Sequence, residues 1–210
     1  FWMIKNADRS IFEPAIATRN GCEQCHQISN VWPDQSVGEC DACHAKHSFD
    51  LNVAREPATC GECHVGPDHP HIEIYNESKH GNIFAAQGDE WDLGYLAADT
   101  DGKGIPIDAP VCTTCHMDGN ETQPSTHNVS ARLAWESQAP WSFRTVWNQE
   151  ELGDWQTKRA RMDGICHSCH APDFVKAYTL TADLVNLQYN ELRRTFVTWT
   201  NKLTNDGTID

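Results

Sequence analysis

The 210-residue sequence predicts a mainly α-helical fold with extensive loop, and two patterns lead to this prediction. Between residues 173 and 204, apolar residues recur at steps of mostly three, four or seven, which is the spacing of one helix face. In the first 70 residues, prolines recur often enough to interrupt any long helix or strand. No segment stands out as a strand.

The C-terminal pattern predicts one long helix, which would extend roughly 45–50 Å at about 1.5 Å per residue. A stripe of this kind usually packs on the core of its own chain, but it also suits a helix–helix contact with another subunit. The apolar residues that define the stripe are Phe174, Tyr178, Leu180, Leu184, Leu187, Leu192, Phe196, Trp199 and Leu203.

All ten cysteines fall into five copies of Cys-x-x-Cys-His. This spacing is typical of c-type haem attachment, because two thioether bonds need cysteines one turn apart and the adjoining imidazole must reach the iron. Paired zinc knuckles also use two-residue gaps, but zinc does not require a histidine after each second cysteine. A disulfide scaffold fits less well. The five copies are Cys22-Glu-Gln-Cys25-His26, Cys40-Asp-Ala-Cys43-His44, Cys60-Gly-Glu-Cys63-His64, Cys112-Thr-Thr-Cys115-His116 and Cys166-His-Ser-Cys169-His170.

We therefore predict five covalently attached haem c groups and a multihaem cytochrome c fold whose core is packed with haem. The hydrophobic content of 39% and the mean hydropathy of -0.59 are low for a core made of side chains alone. Residues 1–128 are predicted to wrap four haems. Residues 129–210 are predicted to form a helical region with the fifth haem and the long C-terminal helix.

The chemistry of haem attachment predicts a periplasmic or extracellular protein. No apolar run approaches the roughly 20 residues that span a membrane. The sequence begins FWMIKNADRS, so we expect either a removed secretory signal or a segment of something longer. The formal net charge of -14 disfavours nucleic acid and anionic membranes as partners, and it suits redox partners such as other cytochromes. Acidity that merely keeps the protein soluble explains the charge equally well.

Each motif histidine supplies one axial ligand, and the sixth position then decides the role of each haem. A second imidazole leaves electron transfer alone, whereas an open position admits a substrate. Among the remaining histidines, His47, His80 and His127 are candidate second ligands, and the last two stand at predicted helix starts. His167 is expected to point outward, and His71 is ambiguous. Any of them could instead be a surface residue.

His69 differs because Asp68 directly precedes it in the segment GPDHPH. An acid beside an imidazole can relay protons to a bound substrate. The residues alone fit this role and that of a haem ligand beside a surface aspartate equally well.

The order of the motifs and the segments between them resembles the later part of the octahaem hydroxylamine oxidoreductase family. That family also includes hydrazine dehydrogenases and nitrite-reducing relatives. The resemblance extends from residue 20 to about residue 208. It is carried by GCEQCH, CDACHAKHSF, PATCGECHVGPDHPHIEIYNESKHG, WDL, APVCTTCHMDG, THNVSARLAW and ICHSCHAPDFVKAY.

The resemblance implies that Cys22 and Cys25 anchor a catalytic haem whose proximal ligand is His26. It implies that Asp68 and His69 form the distal pair of the substrate pocket. The other four haems would be bis-histidine groups, with His47, His80 and His127 as distal ligands. One sixth ligand then lacks an assignment, and His71 or a different chain could supply it.

Two departures from the family bear on the reaction. Family members carry three further haem motifs upstream, and many oxidative members have a downstream tyrosine that cross-links to the catalytic haem. This sequence has neither, so the resemblance favours reduction of nitrite or hydroxylamine toward ammonia. A missing C-terminal segment would make oxidation an alternative again. The alternative is a pentahaem electron-transfer cytochrome without catalysis, as a subunit of a larger or polymeric conduit. Either protein would form a homo-oligomer or a complex with other haem subunits.

Overall fold

The structure is a computed structural model that describes residues 32–33, 38–44, 47–66, 70–95, 107–134 and 149–209. Within these ranges the fold is mainly α-helical with extensive loop, as predicted. The β-structure in the described part is an isolated antiparallel bridge between Asn120 and Gln123. The boundary at residue 128 between two regions stays a prediction.

The helices are short before residue 150 and long after it, which is the distribution that the prolines and the apolar periodicity predict. Short 3₁₀ turns cover Cys40–Ala42, Gly88–Glu90 and Val129–Arg132. The helices are α1 (Leu51–Arg55), α2 (Pro57–Gly61), α3 (His71–Glu77), α4 (Lys79–Gln87), α5 (Cys112–His116), α6 (Gln149–Leu152), α7 (Trp155–Cys166) and α8 (Pro172–Asn205).

Several helices begin where the sequence supplies an acceptor for free backbone N–H groups. The Asp50 carboxylate accepts from the N–H of Asn52 at the start of α1, at 2.9 Å. The Ser78 hydroxyl accepts from the N–H of Gly81 at the start of α4, at 3.1 Å. Such caps stabilise a helix end because its first N–H groups have no partner within the helix.

Gly81 is required by the tight junction between α3 and α4. A Cβ atom at this position would lie 2.0 Å from the carbonyl oxygen of Tyr75. Only glycine permits this approach, and the approach sets the direction in which α4 leaves the junction. This direction matters because α4 carries His80.

The hydrophobic core of the described residues is small and contains mostly small side chains, and polar residues are buried in equal number. A core of this size agrees with the expectation that side chains alone do not fill the interior. The buried hydrophobic residues are Ala54, Leu93, Ala109, Val111, Ala131, Ala134, Ile165 and Val175.

Helix α8 confirms the long helix that the periodicity predicts over residues 173–204. Its buried residues are Val175, Thr179 and Asn190. Asp183 also anchors it, because the carboxylate accepts from Arg159 of α7 at 3.0 Å. Beyond Asn190 the helix has no buried residue. Most of its apolar stripe is exposed, so α8 packs on its own chain mainly through its first half.

The helices of the described ranges include none with both the length and the apolar character needed to cross a membrane.

Candidate functional site

Each of the four described Cys-x-x-Cys-His motifs forms a helical turn of its own. In three of them the N–H of the motif histidine donates to the carbonyl of the first cysteine at 2.9 Å, and the fourth motif is helix α5 itself. Residues three and four apart are neighbours on a helix surface, so this turn brings the two cysteines and the histidine to one side. The three hydrogen bonds are His44 to Cys40, His64 to Cys60 and His170 to Cys166.

The eight described cysteines are free thiols, and none forms a disulfide. A zinc knuckle would gather several of these side chains around one ion, and the described residues contain no such group of three or more. Burial favours the neutral thiol at Cys43, Cys115 and Cys166. Burial raises the pKa of Cys115 to about 12. A thioether sulfur is also uncharged, so these positions suit haem attachment.

The third and fourth motifs lie against each other. The thiols of Cys60 and Cys112 are hydrogen-bonded; this contact raises the pKa of Cys60 and lowers that of Cys112. The fifth motif lies near the fourth, since Cys166 contributes to the raised pKa of Cys115. Three motifs from distant parts of the chain therefore meet in one cluster.

Two motif histidines face a second imidazole from a distant segment. The ring centres of His44 and His127 are 6.5 Å apart, and those of His80 and His170 are 6.1 Å apart. Two imidazoles on opposite sides of one metal ion, each bonded at about 2 Å, have ring centres roughly 6 Å apart. Both pairs therefore have the spacing that a bis-histidine haem requires.

The segments that hold these second histidines were predicted as helix starts. His80 lies in the first turn of α4, two residues after its Ser78 cap. His127 precedes Asn128, whose side chain accepts from the N–H of Ser130 at 3.1 Å and caps the 3₁₀ turn that follows. Burial and the nearby His170 lower the pKa of His80, which favours the neutral imidazole that binds metals.

The third motif brings His64 against His71, the histidine that the sequence left ambiguous. Their ring centres are 5.0 Å apart and the rings meet edge to face. The carbonyl of His64 also accepts from the N–H of Ile72 at 3.1 Å, which ties the motif to the start of α3. His71 is therefore the histidine that the fold places beside this motif.

His116 of the fourth motif is in a crowded, partly buried position. Burial lowers its pKa to about 4, with further contributions from Arg132, His64 and His71. A hydrogen bond to the backbone of Val129 opposes this shift, as expected when a ring N–H donates to a carbonyl. That bond fixes one nitrogen and leaves the other of the neutral ring free for a metal.

The remaining predicted site residues have different outcomes. Cys22, Cys25 and His26 of the first motif lie outside the described residues, as do Asp68 and His69. His47 is exposed, with a φ of 71°, and its role as a second ligand stays a prediction. His167 is exposed, as the sequence predicted. The haem-attachment roles assigned to all eight described motif cysteines also stay predictions, although their motif turns fit.

A buried polar network surrounds the fourth motif. One oxygen of Asp118 accepts from Arg55 at 3.0 Å, and the other accepts from the hydroxyl of Tyr95 at 2.7 Å. Arg55 also donates to the carbonyls of Leu93 and Tyr95. Burial and the neighbouring Asp118 raise the pKa of Tyr95, so it remains a neutral donor. This network holds the loop that follows α5.

Arg132 lies on the other side of the same loop and is 2% exposed. Its guanidinium donates to the carbonyls of Cys115 at 3.0 Å and Asp118 at 2.6 Å, and to the side chain of Gln123 at 3.2 Å. Its pKa is lowered by burial, yet an arginine stays protonated in proteins. Arg132 therefore brings a buried positive charge to the carbonyl of a motif cysteine.

Sequence reasoning did not find Arg55, Asp118 or Arg132. The segment THNVSARLAW is part of the family resemblance, and the available signal is that its arginine stands between the apolar residues Ala131 and Leu133. That signal does not reveal a partner, because Arg132 meets Cys115 only through the tertiary fold.

Comparison with known proteins gives a family and a fold. Residues 4–210 match the family described as seven times multi-haem cytochrome CxxCH. A probable nitrite reductase–hydroxylamine oxidoreductase fusion protein of Kuenenia stuttgartiensis is 35% identical over 97 residues. The match covers 46% of this chain and 10% of that protein. The chain thus matches only a small part of this curated relative.

Two solved structures share the fold at a TM-score of 0.67 and 24% identity. One is a hypothetical multiheme protein, of which the alignment covers 47%, together with 85% of this chain. The other is a reducing HAO-like protein complex of Kuenenia stuttgartiensis, of which it covers 40%, together with 92% of this chain. At this identity the likeness supports the multihaem fold and nothing finer.

Proposed function

The chain belongs to the multi-haem CxxCH cytochrome family, and we propose that this redox protein reduces small nitrogen compounds, with nitrite and hydroxylamine as its substrates. The named relative, a nitrite reductase–hydroxylamine oxidoreductase fusion protein, supports this substrate class. The observation that carries the redox role is the spacing of 6.1–6.5 Å between paired imidazoles in two motifs.

Five covalent haems are proposed, one for each motif. When bound, each haem supplies one-electron chemistry, and a haem with an open sixth position can also bind a small ligand. The chain's own residues would hold them through thioethers and imidazoles. Two second ligands are supported by the spacing of paired imidazoles, His127 opposite His44 and His80 opposite His170. His71 is proposed as a third because it lies beside His64, although at a shorter spacing of 5.0 Å.

The proposed catalytic haem is the one attached to Cys22 and Cys25, with His26 as its proximal ligand. Asp68 and His69 would accept hydrogen bonds from, or donate protons to, a nitrogen compound bound on the distal side. Reduction of nitrite or hydroxylamine consumes protons as well as electrons, and a proton-relaying pair beside the substrate would speed their delivery. This assignment depends on the family resemblance of the segments GCEQCH and GPDHPH.

The alternative function is electron transfer without catalysis. The paired imidazoles favour it for the second and fifth motifs, because an iron with two histidine ligands has no position left for a substrate. Both functions need the bis-histidine haems for electron transfer. They differ only at the first motif, where one requires an open face and the other a second ligand.

For the assembly, we propose that α8 packs against α8 of a second copy of this chain. Its apolar residues include a continuous heptad seam, defined here as Tyr178, Ala182, Val185, Tyr189, Leu192, Phe196, Trp199 and Leu203. These positions alternate steps of four and three, which is the repeat of a left-handed coiled coil. All except Ala182 are exposed.

Charge supports a second copy as the occupant of the seam. Helix α8 contains three acidic residues and four basic ones, a net charge of +1, whereas the whole chain has a net charge of -14. Two copies of α8 can therefore approach without the repulsion that the rest of the surface would impose. The list of charged residues is Asp173, Lys176, Asp183, Glu191, Arg193, Arg194 and Lys202.

The compartment is proposed to be periplasmic or extracellular, where c-type haem is attached. Other cytochromes are the proposed redox partners, which agrees with a structural relative that is itself a complex of HAO-like proteins.

Electron paramagnetic resonance of the haem-loaded protein tests the catalytic proposal. We expect one high-spin ferric signal that changes when nitrite or hydroxylamine is added, beside low-spin signals that do not. Low-spin signals alone, indifferent to both compounds, would refute catalysis and leave the electron conduit.

A pair of histidine variants tests the role of His69. His69→Ala should reduce turnover of hydroxylamine or nitrite by about 100-fold with every haem retained, because a general acid–base group contributes at least that much. His167→Ala is the matched control, since this exposed histidine lies within a motif and has no proposed role. A changed reduction potential in His69→Ala, instead of lost turnover, would make His69 a haem ligand.

A further inference from the structure

The fourth motif has an unusual electrostatic setting among the described motifs. Arg132 is almost fully buried and donates to the carbonyl of Cys115 at 3.0 Å, next in sequence to His116. Its other described acceptors are the carbonyls of Asp118 and Pro124 and the side-chain oxygen of Gln123. All four acceptors are neutral oxygens, so none of these bonds cancels the charge of the guanidinium.

The nearby carboxylate is committed to other partners. Asp118 accepts from Arg55 with one oxygen and from Tyr95 with the other. Among Arg55, Arg132, Arg161 and Asp118, positive charge is in excess beside α5. A charge that is withdrawn from water acts more strongly over the same distance, because the effective dielectric constant is lower.

Each described motif has an acidic residue in it or near it in the sequence, and that of the fourth motif is Asp118, which is bonded to Arg55 and Tyr95. The second motif follows Glu39 and contains Asp41, and the third contains Glu62. The fifth follows Asp163 on α7, and this carboxylate contributes to the raised pKa of Cys166. Carboxylates disfavour the addition of an electron at a nearby site, whereas a guanidinium favours it.

We propose that Arg132 raises the reduction potential of the haem held by Cys112, Cys115 and His116, and makes it the most readily reduced haem among the four described motifs. The proposal rests on the proposed function in requiring a haem at this motif. Reduction of that haem by a mediator adds one electron to ferric iron and gives ferrous iron, with no bond formed or broken. The positive charge at the iron falls by one unit, so a fixed neighbouring cation stabilises the reduced form.

Redox titration of the haem-loaded protein, followed by the visible absorption of reduced haem, tests this proposal. Arg132→Gln should lower the midpoint of the step with the highest potential. At the original midpoint, the reduced-to-oxidised ratio should fall about tenfold, which is 59 mV for one electron. Arg132→Lys keeps the charge and should shift that step much less.

Asp118→Asn is a second test, in which the midpoint should shift in the opposite direction. This test does not depend on the folding of the arginine variants. Loss of the negative charge should raise the midpoint of the same step. Arg194→Gln is the matched control, because Arg194 is 61% exposed on α8 and far more screened by solvent. Equal shifts in Arg132→Gln and Arg132→Lys would indicate geometry instead of charge and overturn the proposal, as would an unchanged midpoint in Asp118→Asn.

The mass of haem peptides separates this proposal from the function on which it rests. A peptide with Cys112 and Cys115 that lacks haem refutes both. A peptide that carries haem, together with midpoints that the charge variants leave unchanged, refutes the role of Arg132 alone.

Discussion

The guanidinium of Arg55 donates to the carboxylate of Asp118 at 3.0 Å, and the two side chains are only 12% and 6% exposed. This ion pair joins α1 to the loop after α5, two segments that are distant in the sequence. Removal of one partner from such a pair leaves an uncompensated buried charge, which costs far more than the loss of an exposed pair.

Arg55→Met should therefore lower the free energy of unfolding by about 3 kcal/mol. Denaturant unfolding of the haem-loaded protein measures this value. Arg194→Met removes an ion pair of similar length to Glu191 that is largely exposed, and it should cost less than about 0.5 kcal/mol. The double variant Arg55→Met with Asp118→Leu should recover part of the loss; equal costs for the two single arginine variants would contradict the prediction.

Replacement of the second histidines should change the spin state of one haem each. His127→Leu removes the imidazole opposite His44, so one low-spin ferric signal should be replaced by a high-spin signal. His71→Leu should likewise replace one low-spin signal, that of the haem of the third motif, by a high-spin signal, because His71 lies beside His64. Electron paramagnetic resonance measures both changes, with His167→Leu as the control. A His71→Leu spectrum identical to that of the unaltered protein would remove His71 from the ligands.

A charge within the heptad seam of α8 should disrupt self-association. Leu192 is 72% exposed and lies in the seam, so Leu192→Glu places a carboxylate where the second helix would pack. Leu187→Glu is the matched control, because Leu187 is 64% exposed but lies on the opposite side of the helix. Sedimentation velocity should show a smaller species for Leu192→Glu alone. Equal sedimentation of the two variants would argue against the seam as an interface.

The cap of α7 should make stability depend on acid pH. The Asp154 carboxylate accepts from the N–H of Thr157 at 2.8 Å, and this bond lowers its pKa from the ordinary value of 3.8. The folded state therefore prefers the ionised form. Its stabilising contribution is fully present above pH 3.8 and is lost as the pH falls through the lowered pKa of the folded state.

Asp154→Asn isolates the charge, because asparagine is also a good helix cap. The melting temperature should fall from the unaltered protein to Asp154→Asn and further to Asp154→Ala at pH 7. The difference between the unaltered protein and Asp154→Asn should shrink as the pH falls below 3.8. A difference that stays constant down to pH 2 would show that the charge contributes nothing.

Local features of this protein could be predicted from the sequence because their causes lie within a few residues. The helical turn of each described motif follows from spacings of three and four residues. The long helix at residues 172–205 follows from its apolar period and from the proline at its start. The helix start at His80 and the capped turn after His127 follow from Ser78 and Asn128.

Pairing between distant segments could not be predicted in this way. Nothing near His44 in the sequence indicates that His127 lies opposite it. The position of His71 in the sequence likewise does not show which motif histidine it lies beside. The family resemblance implied that second histidines exist and suggested three of them. It left His71 and a different chain as two possible sources of the remaining ligand, and the fold brings His71 to the third motif.

What the sequence determined by itself is the chemistry: cysteines and histidines at spacings that suit covalent haem, and a helix whose apolar residues repeat in heptads. What only the tertiary structure decided is which side chains share an environment, including the burial of Arg132 against the carbonyl of Cys115. The physical reason is the separation along the chain over which each effect acts. Helix formation and motif geometry depend on neighbours within one or two turns, whereas burial and electrostatic coupling depend on segments that meet only when the chain folds.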